Sequence, residues 1–444
     1  MGRLFGTDGV RGLANADLTP ELALDLTIAA AHVLVEHRSG GGRALAVVGR
    51  DPRASGEMLE AAVCAGLASA GVDVIRLGVL PTPGVAFLAC HLGADLGVML
   101  SASHNAMPDN GIKFFDRDGF KLPDDVEDEI EARLREPWNR PTGAGVGRIT
   151  DRPELIEPYI EHLVASAPAR LDGLTVLVDC AHGAASVVAP EVYRRLGAVV
   201  TTLANSPDGW NINDGVGSTH PEALQAAVVA AGADVGIAHD GDADRCIAVD
   251  ALGHLVDGDG ILTVVGLAAR DAGRLTNDTI VGTVMANLGF KKAMKAQGVA
   301  LIETPVGDRY VLEEMRRGGH VLGGEQSGHV LFLHHATTGD GVLTAVQLLG
   351  AVAGTGRPLH ELAGVMTTFP QVLRNVRVAD RDKVMTSEVL ATAVWHAESE
   401  LGDSGRVLVR ASGTEPLVRV MVEASTADQA ERLTDQLVTV VESL

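Results

Sequence analysis

The sequence predicts an α/β protein that contains three copies of one α/β domain, followed by a C-terminal segment of different pattern. Short apolar runs alternate with helical stretches, and this alternation starts afresh twice along the chain. The stretch Gly93-Ala-Asp-Leu-Gly-Val also matches Gly232-Ala-Asp-Val-Gly-Ile. Because 444 residues are too many for one hydrophobic core, we interpret the repeats as separate domains.

The first predicted domain, 1–150, has a β-α-β-α-β order. Its predicted elements are strand 45–48, helix 55–70, strand 72–77, helix 82–92, strand 96–100 and a charged helix 124–135. A proline- and glycine-rich tract follows over 137–147, which we interpret as a linker. The glycine-rich start of the chain contains Asp8 and Arg11. Taken alone this start is typical of a surface turn, but it also suits an ordered loop beside a ligand.

The pattern restarts in the second and third predicted domains, 151–255 and 256–369. The second comprises strand 174–179, helix 184–196, strand 198–203, helix 221–231 and strand 235–239. The third comprises strand 279–284, helix 288–297, strand 300–304, helix 310–317 and the polar stretch 320–328. Each repeat therefore ends in a polar loop at a comparable place. Open α/β sheets bind ligands at the carboxyl ends of their strands, so these loops are candidate functional sites.

The last predicted domain, 370–444, has a different texture. We expect strands over 372–378 and 406–409 and helices over 383–401 and 426–444, the last with a capping-box pattern at its start. Between them lies a loop rich in small donors and arginines: Arg410, Ser412, Gly413, Thr414 and Arg419. These groups suit a phosphate. An ordinary turn is the alternative, but it does not explain why two arginines and three small residues coincide.

Composition excludes several classes of partner and site. The formal charge is −22 and no long basic run occurs, which argues against nucleic acid and anionic membranes. The 4 cysteines are far apart and show neither zinc-type spacing nor the density of a disulfide scaffold, so a reducing cytoplasm fits best. The longest uncharged stretches, 77–94 and 341–356, contain prolines or several glycines and are not expected to span a membrane.

The acidic loop after the strand at 235–239 is a candidate metal site. Asp240, Asp242 and Asp244 place carboxylates at alternate positions, which can converge on a hard cation if the backbone turns around it. An EF-hand is excluded, because its glycine and glutamate positions are Arg245 and Ala251 here. Two alternatives stay open: a phosphatase that uses the first aspartate as nucleophile, and a solvated acidic turn.

The polar loop of the first repeat offers a hydroxyl nucleophile. Ser103 follows an apolar strand, precedes His104 and lies opposite Asp242 when the repeats are aligned. No Gly-x-Ser-x-Gly elbow occurs, which argues against a serine hydrolase. As a phosphoryl carrier, Ser103 needs a metal, cations and a nearby base. Lys113 can be that base if burial beside other cations lowers its pKa; a surface lysine is the alternative.

The third loop suits sugar recognition. Glu325 and Ser327, with the amide between them, match the donors and acceptors of sugar hydroxyls. Arg309, at the end of a strand in the same repeat, can contact a phosphate or form a structural ion pair. A hydroxyl in one loop and carboxylates in the next together indicate a Mg²⁺-dependent phosphoryl-transfer centre.

The chain resembles the α-D-phosphohexomutase superfamily over nearly its full length. The resemblance rests on five motifs in the family's order, at 6–11, 101–105, 240–245, 324–329 and 410–416. Ser-Ala-Ser-His-Asn and Gly-Glu-Gln-Ser-Gly are similar to the glucosamine branch of the superfamily. The family usually has proline after Ser-His-Asn, where this chain has Ala106, and we expect a slightly more mobile loop there.

The resemblance implies four domains around a central cleft: three related mixed α/β domains with a sheet between helices, and a smaller α+β domain that closes over the substrate. It also implies functional residues. The catalytic group is Ser103, as phosphoserine, with Lys113, as general base, His104 and Arg11. The Mg²⁺ ligands are Ser103, Asp240, Asp242 and Asp244. The substrate group is Arg245, Asp308, Arg309, Glu325, Ser327 and His329. The distal phosphate group is Arg410, Ser412, Gly413, Thr414 and Arg419.

The implied reaction interconverts glucosamine 6-phosphate and glucosamine 1-phosphate for amino-sugar nucleotide and cell-wall synthesis. It passes through a 1,6-bisphosphate, so catalytic amounts of a hexosamine or glucose 1,6-bisphosphate are the expected activator. The expected partner is a small sugar phosphate, and a homodimer is possible. The alternatives are a phosphomannomutase or phosphoglucomutase and, from another class, a non-catalytic sugar-phosphate-binding protein.

Overall fold

A computed structural model describes residues 3–6, 8–36, 42–412 and 416–444. These residues form two compact units. The first comprises Met1–Met285 and Ala300–Gly364, and the second comprises Ala286–Val299 and Val365–Leu444. Three of the sheets described below belong to the first unit, and the fourth sheet belongs to the second.

The first sheet carries the serine loop. The elements around it are β1 Val10–Leu13, α1 Pro20–Glu36, β2 Leu45–Arg50, α2 Ala54–Ser69, β3 Asp73–Val79, α3 Thr82–His91, β4 Leu96–Leu100, β5 Asp109–Phe115, α4 Asp124–Ala132 and β6 Ile149–Asp151. The strand order is β1-β5-β4-β2-β3-β6. β4 is parallel to β2 and antiparallel to β5. The predicted linker at 137–147 leads into β6, which returns to the edge of this sheet.

The second sheet carries the acidic loop between β9 and β10. Its elements are α5 Ile156–Ala165, β7 Thr175–Asp179, α6 Ala185–Arg195, β8 Val199–Leu203, α7 Glu222–Ala231, β9 Val235–His239, β10 Cys246–Asp250 and β11 Leu255–Val256. The strand order is β11-β10-β9-β7-β8. All five residues of β9 are buried, as its apolar sequence predicts.

The third sheet carries the predicted sugar loop between β14 and β15. The elements along this stretch are α8 Gly258–Asp271, β12 Thr279–Thr283, α9 Leu288–Ala296, β13 Ala300–Thr304, α10 Asp308–Gly318, β14 Leu322–Gly324, β15 Val330–Phe332, α11 Gly341–Thr355 and α12 Leu359–Ala363. The strand order is β13-β12-β14-β15. α9 belongs to the second compact unit.

The three sheets share one topology. The orders β5-β4-β2-β3, β10-β9-β7-β8 and β15-β14-β12-β13 are equivalent, with three parallel strands and one antiparallel strand in each. This equivalence confirms three related α/β domains. It also shows why they are mixed: in each copy the chain leaves a strand, forms the polar loop and returns antiparallel beside that strand.

The fourth sheet is smaller and fully antiparallel. Its elements are β16 Gln371–Arg377, α13 Arg381–Met385, α14 Glu388–Leu401, β17 Arg406–Ala411, β18 Leu417–Glu423 and α15 Ala427–Glu442, in the strand order β16-β18-β17. The single helix expected over 383–401 is wrong. Asp380 caps α13 through the N–H groups of its first turn, and α14 starts separately after Ser387. The expected cap of α15 is confirmed, since Thr426 accepts a hydrogen bond from Gln429 N at 3.3 Å.

Two further features concern the cysteines and the helices. The 4 cysteines are free thiols. Within the described ranges, no helix has both the length and the apolar character needed to cross a membrane.

Candidate active site

Ser103 lies in the loop after β4 and is 1% exposed. Its φ of 52° falls in the left-handed region, which is uncommon for residues other than glycine and recurs at active sites. Its backbone N–H donates to Oγ of Ser101 at 2.9 Å, and its hydroxyl donates to Oδ2 of Asp240 at 2.6 Å. The first repeat thus presents a serine hydroxyl to a carboxylate of the second repeat.

Arg53, 0% exposed, fastens the serine loop. Its guanidinium donates to the carbonyl oxygen of Ser103 at 3.0 Å and also to that of Ala106. Its Nε pairs with Oδ2 of Asp51 at 2.9 Å, so its charge is balanced where it is buried. Nδ2 of Asn213, from the second repeat, donates to the same Ser103 carbonyl at 2.9 Å. The loop is therefore held from two sides at Ser103, and Arg53 also holds Ala106, the residue that differs from the family pattern.

The predicted acidic triplet converges. Asp240, Asp242 and Asp244 are 1%, 0% and 3% exposed, and each offers a carboxylate oxygen within 4.8 Å of the others. Oδ2 of Asp242 accepts a hydrogen bond from the hydroxyl of Thr82 at 2.6 Å. The Oδ1 atoms of Asp242 and Asp244 are buried and accept no hydrogen bond from the residues that the structure describes.

These residues fit a divalent cation. Burial, and then the neighbouring carboxylates of Asp244 and Asp242, raise the pKa of Asp240 to about 8. Three buried carboxylates at this spacing repel one another unless a cation or protons neutralise them. Oxygen donors are also the ligands that Mg²⁺ prefers. The two carboxylate oxygens without hydrogen-bond partners are thus suited to metal coordination.

Lys113, on β5, is 1% exposed and lies among carboxylates. Its Nζ is 2.8 Å from Oδ2 of Asp8 and 2.8 Å from Oδ2 of Asp242. Burial opposes its charge, but these two carboxylates raise the pKa of Lys113 above its usual value. The prediction that Lys113 acts as a base assumed that neighbouring cations lower its pKa, whereas its neighbours in the structure are carboxylates. Lys113 is therefore a charged proton donor here, and its action as a base stays a prediction.

A closed ring of alternating charges joins the three repeats. Its members in order are Lys113, Asp8, Lys121, Asp308, His329 and Asp244. Lys121 contacts Asp8 and lies 2.6 Å from Oδ2 of Asp308. His329 lies between Asp308, at 3.5 Å, and Asp244, at 3.6 Å. Burial opposes a charge on this histidine, but Asp244 and then Asp308 raise the pKa of His329.

The remaining predicted catalytic residues lie at the same place. Arg11 pairs with Asp8, and Nε of Arg245 lies 3.8 Å from Oδ1 of Asp244. Burial, and then the charges of Arg245 and Arg11, lower the pKa of His104 to about 4. Within the described ranges, the buried Nδ1 of His104 makes no hydrogen bond. His104 is therefore neutral at neutral pH.

The predicted sugar loop packs on the second repeat. Oε1 of Glu325 accepts a hydrogen bond from Gly307 N at 3.2 Å, and Ser327 is exposed. Gly328 has a φ of 90°, and a Cβ at this position would lie 2.3 Å from the carbonyl oxygen of Cys246. Only glycine allows this approach, in which Cys246 N donates to Gly328 O at 3.0 Å.

Arg309 forms the ion pair that the sequence left open as an alternative. Its guanidinium contacts Asp124 and lies 3.1 Å from Oε1 of Glu127, both on α4. It also donates to the carbonyl of Leu122 at 3.2 Å. A substrate contact by Arg309 stays a prediction.

The predicted phosphate loop belongs to the second compact unit. Arg410 on β17 lies directly opposite Arg419 on β18, and burial together with that neighbour lowers the pKa of Arg410. Ser412 is 3% exposed, and its carbonyl accepts a hydrogen bond from Arg381. A cluster of arginines of this kind favours an anionic ligand. Gly413 and Thr414 lie outside the described residues.

Three residues that lie in or beside the site were not predicted from the sequence to have a role there. Asp8 had a signal, because it lies in the glycine-rich start together with Arg11. Arg53 also had one, because it lies in the polar stretch directly after β2. Lys121 had none, since its position depends on the backbone bridge that folds it against Phe115.

The chain matches family models described as phosphoglucomutase/phosphomannomutase, in four parts. The matched residues are 2–140 for α/β/α domain I, 157–253 for domain II, 257–369 for domain III and 373–440 for the C-terminal domain. A phosphoglucosamine mutase of Streptomyces griseus is 66% identical, over 100% of this chain and 99% of that protein. One of Acidothermus cellulolyticus is 65% identical, over 99% and 95%.

The chain belongs to the phosphoglucosamine mutase family. It is thereby an isomerase of the phosphohexomutase superfamily.

Solved structures show the same fold. A phosphoglucomutase/phosphomannomutase family protein of Burkholderia thailandensis gives a TM-score of 0.82 at 24% identity, over 99% of this chain and 97% of that one. An N-acetylphosphoglucosamine mutase of Aspergillus fumigatus, solved with GlcNAc-6P and magnesium, gives 0.69 at 19% identity, over 99% and 95%. At these sequence identities the likeness to the two solved structures shows the fold alone.

Proposed function

We propose that the chain interconverts glucosamine 6-phosphate and glucosamine 1-phosphate through a phosphoserine at Ser103. One observation carries the proposal: the Ser103 hydroxyl lies 2.6 Å from Asp240 within a buried carboxylate triplet. Phosphoryl transfer asks the protein mainly for positioning and neutralisation of charge, which this arrangement provides. Membership of the family supplies the substrate class.

The proposed reaction consists of two half-reactions, in each of which one P–O bond forms as another breaks. In the first, the P–O bond to Ser103 breaks while a P–O bond to O1 of glucosamine 6-phosphate forms. The O1 hydroxyl loses a proton and the serine oxygen gains one, which gives glucosamine 1,6-bisphosphate. In the second, the bisphosphate first reorients in the site, and Ser103 then takes the phosphoryl group from O6. The serine hydroxyl then loses its proton, O6 gains one, and glucosamine 1-phosphate leaves.

We assign proton transfer and charge balance to residues at the site. Lys113 would take the proton from the attacking hydroxyl and return it to the leaving oxygen. It must first lose its own proton, which requires its contacts with Asp8 and Asp242 to loosen when substrate binds. Neutral His104, beside the serine, would contact the transferring group as a hydrogen-bond partner. Arg11 would offset negative charge there.

The substrate contacts that we propose fall into two groups of side chains. Sugar hydroxyls and the adjoining phosphate would contact Arg245, Asp308, Arg309, Glu325, Ser327 and His329. The non-reacting phosphate would contact Arg410, Ser412, Gly413, Thr414 and Arg419. Forked guanidinium groups suit this second role, because the loop must accept either end of the bisphosphate in turn.

Mg²⁺ would be held by Ser103, Asp240, Asp242 and Asp244, since two of the carboxylate oxygens accept no hydrogen bond within the described ranges. A bound Mg²⁺ supplies charge neutralisation at the transferring phosphoryl group. The activator would be a hexosamine or glucose 1,6-bisphosphate, which loads the serine. We further propose domain boundaries after residues 150, 255 and 369, and a small sugar phosphate as the partner.

The function is tested by turnover of three substrates. The purified full chain, with Mg²⁺ and a trace of glucose 1,6-bisphosphate, is assayed on glucosamine, glucose and mannose 6-phosphates. We expect the highest kcat/KM for glucosamine 6-phosphate. Ser103→Ala should abolish turnover, whereas Ser443→Ala, at an exposed serine, should not change it.

The other outcomes separate the alternatives. A preference for mannose or glucose 6-phosphate would favour the phosphomannomutase or phosphoglucomutase function. Binding of all three without turnover would favour a sugar-phosphate-binding protein. Turnover that survives in Ser103→Ala would contradict the phosphoserine.

A further inference from the structure

Asp308 is the first residue of α10 and pairs with the ammonium group of Lys121. Its Oδ2 lies 2.6 Å from Nζ of Lys121, which the first repeat contributes. The same oxygen lies 3.5 Å from Nε2 of His329. His329 is 3% exposed, and its Nε2 forms no hydrogen bond with any residue of the described ranges. A carboxylate in this setting is suited to binding cations.

Asp308 also lies against the predicted sugar loop. Gly307, the residue before it, donates its N–H to Oε1 of Glu325 at 3.2 Å. His329, at the other end of that loop, lies between Asp308 and Asp244 of the metal triplet. A sugar bound by this loop would therefore have the Asp308 carboxylate beside it.

Asp308 has an acceptor oxygen to spare, whereas Asp8 does not. Asp8 is surrounded by three cations, Arg11, Lys113 and Lys121, which engage both of its oxygens. The ion pairs that the structure shows for Asp308 within the described ranges both end on Oδ2. Since an ionised carboxylate can accept about four hydrogen bonds, Oδ1 remains available to a further donor.

Glu325 is the rival carboxylate. It lies in the sugar loop itself, and its Oε1 accepts one backbone N–H. Among the described residues, however, no cation approaches Glu325 to within an ion-pair distance, so nothing shows that its surroundings suit an ammonium group. Uncharged sugar hydroxyls are the better match for it.

We propose that Asp308 recognises the 2-ammonium group of the hexosamine phosphate and thereby sets the preference for glucosamine over glucose. This inference rests on the proposed substrate. The contact is a charge-assisted hydrogen bond that a 2-hydroxyl replaces only weakly. A site built around such a bond discriminates by leaving its polar group unpaired when the wrong substrate binds. Lys121 holds the carboxylate in place from the opposite side.

The test compares kcat/KM for glucosamine 6-phosphate and glucose 6-phosphate in the wild type and in Asp308→Asn. We expect the value for glucosamine 6-phosphate to fall about 10- to 100-fold, the effect of losing one hydrogen bond to a charged group. The value for glucose 6-phosphate should fall much less, because a 2-hydroxyl makes only a weak contact with Asp308. Asp308→Glu, which keeps the charge, should retain part of the preference. Glu313→Gln, an exposed acid-to-amide change on the same helix, should behave as wild type.

The outcomes distinguish this inference from the proposed function. If the wild type does not turn over glucosamine 6-phosphate, the proposed function fails. If the wild type turns over glucosamine 6-phosphate, but Asp308→Asn lowers kcat/KM equally for both substrates or for neither, only the inference is overturned. If Glu325→Gln loses the preference for glucosamine 6-phosphate while Asp308→Asn keeps it, the ammonium group contacts Glu325 and the inference is also overturned. In the wild type KM should rise as the amino group of the substrate deprotonates, and in Asp308→Asn it should not.

Discussion

The hydroxyl of Ser103 lies 2.6 Å from Oδ2 of Asp240, although 137 positions separate the two residues in the chain. Each lies at the end of the equivalent strand of its own repeat, β4 or β9. The two loops therefore occupy equivalent places in two related domains; one carries the proposed nucleophile and the other carries the carboxylate triplet. Their convergence brings together the hydroxyl and the carboxylates that the proposed phosphoryl transfer requires.

Mg²⁺ should stabilise the protein through the triplet. A ligand that binds only the folded state adds about 2.7 kcal/mol when its free concentration is a hundred times Kd. We expect Mg²⁺ to raise the Tm of the wild type and not that of Asp240→Asn. This amide resembles the protonated acid, because the pKa of Asp240 is raised to about 8, so the variant should fold normally without metal. Asp214→Asn, at an exposed position, is the control and should keep the Mg²⁺ response. An equal Tm rise in Asp240→Asn would place the ion elsewhere.

Arg53→Met should destabilise the protein strongly. The change leaves Asp51 as a buried charge without its ion-pair partner and frees the carbonyl of Ser103. Breaking a buried pair in this way typically costs about 3–5 kcal/mol. The matched control is Arg135→Met, which removes a pair between Arg135, 76% exposed, and Asp25, for an expected loss below about 1 kcal/mol. The measurement is urea unfolding followed by circular dichroism, and similar losses in both variants would show that Arg53 does not hold the loop.

Asp340 should make stability fall as pH rises from about 4 to about 6. This carboxyl is 2% exposed and accepts hydrogen bonds from Tyr159 and Leu343, yet burial raises its pKa to about 6. The folded state therefore binds the proton more tightly than the unfolded state, whose pKa is about 3.9. Stability from this group is full at low pH and is lost through that window.

Asp340→Asn tests this dependence. The amide keeps an oxygen for the helix cap, its NH2 group can donate to the hydroxyl of Tyr159, and it does not titrate. We expect the variant to be more stable than the wild type by up to about 3 kcal/mol above pH 7 and equal to it near pH 4. Parallel curves of unfolding free energy against pH for the two proteins would contradict the assignment.

The sequence predicted most of the parallel strands of the three repeats and missed the strand that returns antiparallel in each repeat. The expected bounds of β4, β9 and β13 coincide with those observed, because each is a short apolar run between polar loops. β5 was not predicted, since Asp109 and Asn110 begin it and Lys113 lies within it. Its strand conformation comes from pairing with β4 on one side and β1 on the other, which local residue preferences do not encode.

The candidate site shows the same limit. Motif spacing predicted that the triplet would converge, because its three carboxylates lie on one short loop. The surroundings of Lys113 were not predictable in this way, since Asp8 and Asp242 reach it from distant parts of the chain. Lys121 was missed for that reason too: its partners, Asp8 and Asp308, lie in the first and third repeats.

The central claim is that Ser103 carries the phosphoryl group. The direct measurement is peptide mass spectrometry of the wild type after brief exposure to glucose 1,6-bisphosphate and Mg²⁺, and again after glucosamine 6-phosphate is added. We predict one phosphoryl group on the peptide that contains Ser103 in the first sample, and its transfer to the sugar bisphosphate in the second. Turnover at full rate with Ser103 unmodified in both samples, or with the phosphoryl group on another residue, would contradict the account.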